Sequence, residues 1–184
     1  VGYLLPGVEC RFTGDGAAVV DGDDGEIEVR TPFAMHGYLD LESQQVTPLP
    51  AGTWFPTGDI GRLDATGALF ITGRKKDLII RGGQNLSPRA IRDVVLAQAD
   101  VVDAAVFGVP HDFYGEEVAV ALKLAAGKRL ADLQSALLQH CRAHLSQAAV
   151  PTRLFQVDEF PLGSTGKVLI RELRATLIGD KPVA

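Results

Sequence analysis

The sequence predicts an α+β protein: a short-stranded, barrel- or sandwich-like β segment over residues 1–75, followed by a small α+β domain over residues 76–184. Three observations carry this. Twelve of the 20 glycines fall in residues 1–75, where they separate short alternating runs. From residue 87 onward, stretches of helical apolar period alternate with β-rich runs. The charge also steps: residues 1–75 hold 11 acidic and 5 basic residues, a net of −6, whereas residues 76–184 hold 12 and 13, a net of +1. Such an asymmetry suggests a boundary near residue 75.

Taken in order, Val8–Phe12 alternates, Gly14-Asp15-Gly16 turns, and Ala18–Val20 follows as a second strand. Asp21–Gly25 is a dense turn, and Glu26–Arg30 alternates again. Gly61–Leu63 and Ala68–Thr72 flank the turn Asp64-Ala65-Thr66-Gly67. Leu78-Ile79-Ile80 forms a short strand within Asp77–Arg81, closed by Gly82-Gly83. Ser87-Pro88 starts a helix, with Ser as N-cap and Pro at the first helical position, and Ile91, Val94 and Val95 line one face over Ser87–Gln98. Val101–Val109 is a strand ending at Pro110, and Val118–Leu124 is another. Arg129–Leu145 is an amphipathic helix with Leu130, Leu133, Leu137, Leu138, Cys141 and Leu145 on one side. A last strand at Arg153–Val157 leads to a short helix near Ile170–Leu177.

Composition narrows the class. Apolar residues make up 46% and charged residues 22% of 184, a globular balance that is neither disordered nor disulfide-built. A net charge of −5 argues against nucleic-acid binding. No apolar run nears the ~20 residues of a membrane span. The first residues carry no secretory pattern, and the one methionine is Met35, so the chain is expected to be part of a longer protein or to have lost its initiator. Cys10 and Cys141 form no CxxC pair and read as reduced core residues in a cytoplasmic setting.

Three segments carry residue types suited to chemistry. Thr57-Gly58-Asp59, between two expected strands, offers a carboxylate that can accept two hydrogen bonds from a vicinal diol such as a ribose. Thr72-Gly73-Arg74-Lys75-Lys76-Asp77 offers a guanidinium for phosphate or ribose and a pivot at the charge boundary, with Gly82-Gly83 beyond it leaving room for a ligand against bare backbone. Pro161-Leu162-Gly163-Ser164-Thr165-Gly166-Lys167-Val168 puts Lys167 at a loop tip as a mobile point charge. Each segment taken alone is equally a solvated turn, linker or surface lysine. There is no Walker loop, GxGxxG, HExxH or GxSxG, so P-loop, dinucleotide, zincin and serine-hydrolase chemistry find no support. His140 and His144, four apart on the long helix, read as a solvated face, and His36 and His111 as loop residues.

In their order, TGDIGRLDATGALFITGRKKDLIIRGGQNLSP, VFGVPHDFYGEEV and PLGSTGKVLIREL resemble the C-terminal signature motifs of the adenylate-forming enzymes. That superfamily includes acyl- and aryl-CoA synthetases, peptide-synthetase adenylation domains and luciferases. VGYLLPGVE, GEIEVR, GYLDLES and GTWFPTGD resemble the β-rich end of its large N-terminal domain. The resemblance implies a small three-layered α+β C-terminal domain over 76–184 and the end of the AMP-binding domain over 1–75. It implies ATP and CoA as cofactors, Mg2+ without a ligand in this chain, a small-molecule carboxylate as substrate, and the rest of an N-terminal domain as partner. By resemblance, Asp59 binds the ATP ribose hydroxyls, Arg74 lies on the ribose and phosphate side, Lys76 is the hinge, Lys167 is the catalytic lysine of adenylation, and Gly82 and Gly83, in Gly82-Gly83-Gln84-Asn85, line the thiol tunnel. The expected activity is that of an ATP-dependent acyl-CoA synthetase (carboxylate and ATP to acyl-AMP and pyrophosphate, then transfer to the CoA thiol), with this piece alone inactive. A ligase that loads a carrier-protein phosphopantetheine and an inert binding module stand as alternatives. One departure from the family pattern is Ala90 where a capping-box Glu is usual, with Arg89 and Arg92 in the first helical turns.

Overall fold

The computed structural model describes residues 2–14, 17–19 and 22–179. The chain divides into two compact units, Val1–Lys76 and Asp77–Ala184.

In the first unit, alternating runs pair into an antiparallel sheet. The strands are β1 (Glu9–Gly14), β2 (Ala17–Ala18), β3 (Gly25–Arg30), β6 (Phe55–Leu63) and β7 (Leu69–Arg74), in the order β2-β1-β3-β6-β7. The sheet is open, and among the described residues no pairing joins its edges into a barrel. Opposite charges face each other across β1 and β3. Arg11 lies opposite Glu28 and Glu9 opposite Arg30, each pair forming an ion pair. The guanidinium carbons of Arg11 and Arg30 lie 4.6 and 4.8 Å from the centre of the Trp54 ring. Asp64 organises the expected turn by accepting from the amides of Thr66 and Ala68, and Gly67 takes φ 79°. Of the turns predicted further upstream, Asp15, Gly16, Val20 and Asp21 lie outside the described residues. A separate hairpin, β4 (Gly37–Leu39) with β5 (Val46–Pro48), has no counterpart in the sequence reading; three residues per strand leave too little alternation to detect.

Thr57-Gly58-Asp59 does not lie between strands. It lies within the nine-residue β6, which is longer than the Gly61–Leu63 run expected from alternation. The discrepancy has a cause: β6 is bulged against both neighbours, and a bulge breaks the period of two.

The second unit packs three layers. Its sheet joins β10 (Val101–His111), β11 (Gly115–Leu124), β8 (Ile79–Arg81) and β9 (Gln84–Leu86) in that order, with β12 (Arg153–Gln156) running parallel to β11. On one face, Val106, Val118, Val120 and Leu122 pack with Ile91 and Val95 of α1 (Pro88–Leu96) and with Leu137 and Cys141 of α2 (Leu130–His144). On the other face, Ala105, Phe107, Ala119 and Ala121 pack with Leu173 of α3 (Ile170–Ile178) and with Phe160. Residues 118–122 are all fully buried, so successive side chains feed two different cores. Ser87 caps α1 as expected, its Oγ accepting from the Ala90 amide at 3.3 Å. Arg92 is drawn off to the Ala104 carbonyl and the Asp103 carboxylate, both at 2.7 Å, which offsets its unfavourable place near the helix N-terminus. β10 runs past Pro110 to His111, because an edge strand tolerates a residue without an N–H. β9 was not expected as a strand.

Candidate functional site

The bulges position the first site. Between β3 and β6 the register shifts, so that Glu26 faces Ile60 but Glu28 faces Pro56. The surplus is taken up around Gly58, whose φ of 74° is a backbone conformation glycine adopts freely. Thr57 repairs the broken ladder with a single hydroxyl, donating to the Ile27 carbonyl at 2.8 Å and accepting from the Asp59 amide at 3.1 Å. A second shift, between β6 and β7, leaves Thr72 without an opposite residue and places Asp59 directly across from Arg74.

Asp59 and Arg74 therefore meet as a cross-strand pair, Arg74 Nε donating to Asp59 Oδ1 at 2.9 Å. Asp59 Oδ2 accepts no hydrogen bond from a described residue and is open to a donor. Thr57, Gly58, Arg74, Lys75 and Lys76 line a cavity of about 400 Å³. Its three consecutive cations favour an anionic occupant. Lys75 is anchored, its Nζ 2.6 Å from Glu26 Oε2, while Lys76 follows in the 3-10 turn Lys75–Asp77 at the end of the unit. Sequence reasoning assigned no role to the Thr57 hydroxyl or to Glu26, since both act through strand pairings that no local pattern encodes.

The remaining predicted residues lie in the second unit. Gly82 and Gly83 form the two-residue turn between β8 and β9, with φ of 56° and 80°. Gly83 is exposed, with open space where a Cβ would stand. The Arg81 guanidinium lies 5.1 Å from the centre of the Tyr114 ring and donates through Nη1 to the Ala148 carbonyl at 2.7 Å, which leaves Nε buried and unpartnered among the described residues. Lys167 sits on a tight turn. The Gly163 amide donates to the Lys167 carbonyl at 2.8 Å, the Gly166 amide to the Gly163 carbonyl at 2.9 Å, and Leu162 bridges Val168. The lysine is exposed, with its backbone held by this turn.

Other titratable groups are structural. Glu117 is buried beside Arg153 at 3.0 Å. Desolvation opposes its charge, but hydrogen bonds from Thr152 and Arg153 and the charge of Arg153 outweigh it and hold the carboxyl below its usual range. Burial raises both thiols, of half-buried Cys10 and fully buried Cys141, so neither is disposed to act as a nucleophile. His144 Nδ1 bonds the His140 carbonyl at 2.9 Å. Among the described residues no group of three or more His, Cys, Asp or Glu could hold a metal ion, and no helix is long and apolar enough to cross a membrane.

This fold recurs in known proteins. Residues 91–167 match the AMP-binding enzyme C-terminal domain. The long-chain-fatty-acid–CoA ligase of Yersinia pestis is 39% identical over 95% of this chain and 30% of its own length, and the 2-succinylbenzoate–CoA ligase of Geobacillus kaustophilus is 36% identical over 93% and 34%. The crystal structure of ATP-bound MatB from Rhodopseudomonas palustris superposes with a TM-score of 0.81 at 34% identity, over 98% of this chain and 36% of that one. Residues 91–167 thus carry the AMP-binding enzyme C-terminal domain. More particularly, over most of its length the chain is similar to the C-terminal portion of acyl-CoA ligases of the adenylate-forming superfamily. It spans about a third of the length of the curated relatives it matches.

Proposed function

We propose that this chain is the C-terminal part of an ATP-dependent acyl-CoA synthetase, which converts a carboxylate and ATP to acyl-AMP and pyrophosphate and then passes the acyl group to the CoA thiol. The observation that carries the reading is the Asp59–Arg74 pair, preformed at 2.9 Å across a doubly bulged strand and next to Lys75 and Lys76. A carboxylate with one oxygen held and the other open suits a vicinal diol, and the guanidinium and lysines suit the phosphate beside it. ATP brings Mg2+, for which the described residues offer no cluster.

In this reading, residues 1–75 are the β-rich end of the large AMP-binding domain and residues 76–184 the small domain, with the hinge at Lys76. The exposure of Tyr3, Leu5, Phe33, Tyr38 and Leu41 supports the first assignment, because such side chains are ordinarily covered. Lys167, on its braced turn, is the cation that offsets negative charge as the carboxylate and phosphate oxygens converge during adenylation. Rotation at Lys76 withdraws it and brings Gly82-Gly83 to the thiol path. The substrate is a carboxylate; the names of the two relatives span a long-chain fatty acid and an aromatic acid, so fatty acids are one class within the proposal. The two free thiols suit a reducing, cytoplasmic setting.

The test uses the full-length protein. Lys167→Ala should abolish acyl-AMP formation and leave thioester formation from supplied acyl-AMP intact; equal loss of both refutes the assigned role. The 184-residue chain alone, given ATP, CoA and a panel of carboxylates, should form no acyl-CoA. Comparing CoA with a carrier-protein phosphopantetheine as acceptor separates the proposal from a carrier-loading ligase.

A further inference from the structure

We propose that His111 is a positioning residue that sets the place of the Gly82-Gly83 turn, acting through Tyr114 as a hydrogen-bond acceptor and not as a charge. The functional consequence rests on the reading of Gly82-Gly83 as the thiol path; the structural claim does not.

A hairpin of two three-residue strands is marginal alone, and β8–β9 is held at its base by the buried Ile79 and Leu86 and by Arg81, which donates to the Ala148 carbonyl. Its ladder to β11 is a single pair, Arg81 opposite Gly115. The Ile80 amide is satisfied by the Glu116 carboxylate at 2.8 Å instead of a strand carbonyl. Among the described residues the tip itself is held by one backbone bond beyond the hairpin, from the Gly82 amide to the Tyr114 carbonyl at 2.9 Å. The position of Gly82 at the tip is therefore tied to that of Tyr114.

Tyr114 belongs to the connection between β10 and β11, and His111 organises that connection. His111 Nδ1 accepts from the Phe113 amide at 3.2 Å and from the Tyr114 amide at 3.1 Å, and its ring centre lies 5.0 Å from that of Tyr114. Accepting at Nδ1 requires the neutral tautomer with its proton on Nε2. Tyr114 thus receives His111 on its amide and Gly82 on its carbonyl, while its ring carries the Arg81 guanidinium. Loss of the acceptor frees two amides and the residue that anchors Gly82.

An acceptor role can be told from a charge role. The charged groups around His111 are Asp112 beside it, Glu116 and Glu117 on β11, Arg153 on β12 paired with Glu117, and Arg81 on β8 over Tyr114. Were His111 to act as a cation toward Glu117, Asp in its place would be the worst substitute. As an acceptor, Asn and Asp should both serve, since their Oδ1 lies as many bonds from the backbone as Nδ1 does and makes the same bonds to the second and third residues on.

The experiment measures amide hydrogen exchange by NMR on the 184-residue chain. His111→Ala should speed exchange of the Gly82 amide by about tenfold or more relative to amides of β11, and His111→Asn and His111→Asp should return it to within about twofold of the parent. His111→Gln, which carries its amide one carbon too far, should behave as Ala does and covers the case in which Ala fails to fold. Unchanged Gly82 exchange in the Ala and Gln variants overturns the proposal, and so does rescue by Asn without rescue by Asp. In the full-length enzyme, thioester formation from supplied acyl-AMP should fall with Ala and recover with Asn while adenylation is unmoved. An exchange effect without a thioester effect upholds the positioning and overturns the reading of Gly82-Gly83 as the thiol path.

Discussion

Gly61→Ala tests whether the close approach of β6 and β7 builds the Asp59 site. Gly61 is buried, two residues from Asp59, and an added Cβ would stand 2.2 Å from the Phe70 carbonyl oxygen and 2.9 Å from Ile27 Cδ1. The oxygen belongs to the backbone of β7 and cannot rotate aside, so the strands must part by about 1 Å. Overpacking of this kind costs about 1–3 kcal/mol, and each weakened ladder bond beside it adds roughly 0.5–1.5 kcal/mol. The expected loss is about 2–4 kcal/mol. Trp54, the one tryptophan, lies in the same unit between Arg11 and Arg30, so urea unfolding followed by its fluorescence reads this unit directly. Gly67→Ala is the control: it meets nothing within 4 Å and bears only the penalty of φ 79°, about 1–2 kcal/mol. A Gly61→Ala midpoint within about 0.5 kcal/mol of the parent, or a larger loss for Gly67→Ala, refutes the reasoning.

In the second unit, Leu122→Ala removes a fully buried side chain from the face shared with α1 and α2 and should cost about 2–5 kcal/mol in urea unfolding followed by far-UV circular dichroism. Ser87→Ala removes the oxygen that accepts the Ala90 amide and should cost about 1 kcal/mol by the same measurement, with Ser87→Asn close to neutral. Because the Glu117 carboxyl is held below its usual range in the fold, its ionised form stabilises the protein above the unfolded value near 4.5, and that stability is lost as pH falls through the depressed folded value. Glu117→Gln should therefore be less stable than the parent at pH 7 and should lose less on acidification below about pH 4.5, in thermal melts taken from pH 7 to pH 3; parallel pH profiles would sink the assignment.

What could be read from the residues was whatever short-range chemistry decides. Ser87-Pro88 starts α1, Asp64 and Gly67 make their turn, and Leu137 and Cys141 face inward from α2, because each depends on neighbours within a few positions. The Asp59–Arg74 pair was different. Counted outward from the Asp64–Gly67 turn, an unbroken register would set Asp59 opposite Gly73; the unpaired Thr72 moves it by one, to Arg74. Only the sheet determines that shift. The strand pairs β4–β5 and β8–β9 escaped, or half escaped, because three residues hold no measurable period. Arg81, Tyr114 and His111 are united by contacts between separate hairpins, and neither hairpin alone suggests them.

The unbroken burial of residues 118–122 makes length, more than composition, the fragile property of this unit. The odd and even positions of β11 differ in bulk: Val118, Val120 and Leu122 meet α1 and α2, whereas Ala119 and Ala121 meet α3. Deleting one residue ahead of Val118 would exchange them, emptying one core by several methyl groups and crowding the other by as many, although no side chain had been altered. A frame error of one residue in a three-residue connection would thus do more damage than most substitutions. The connection from Asp112 to Tyr114 is, in that sense, the spacer that keeps the two cores from trading places.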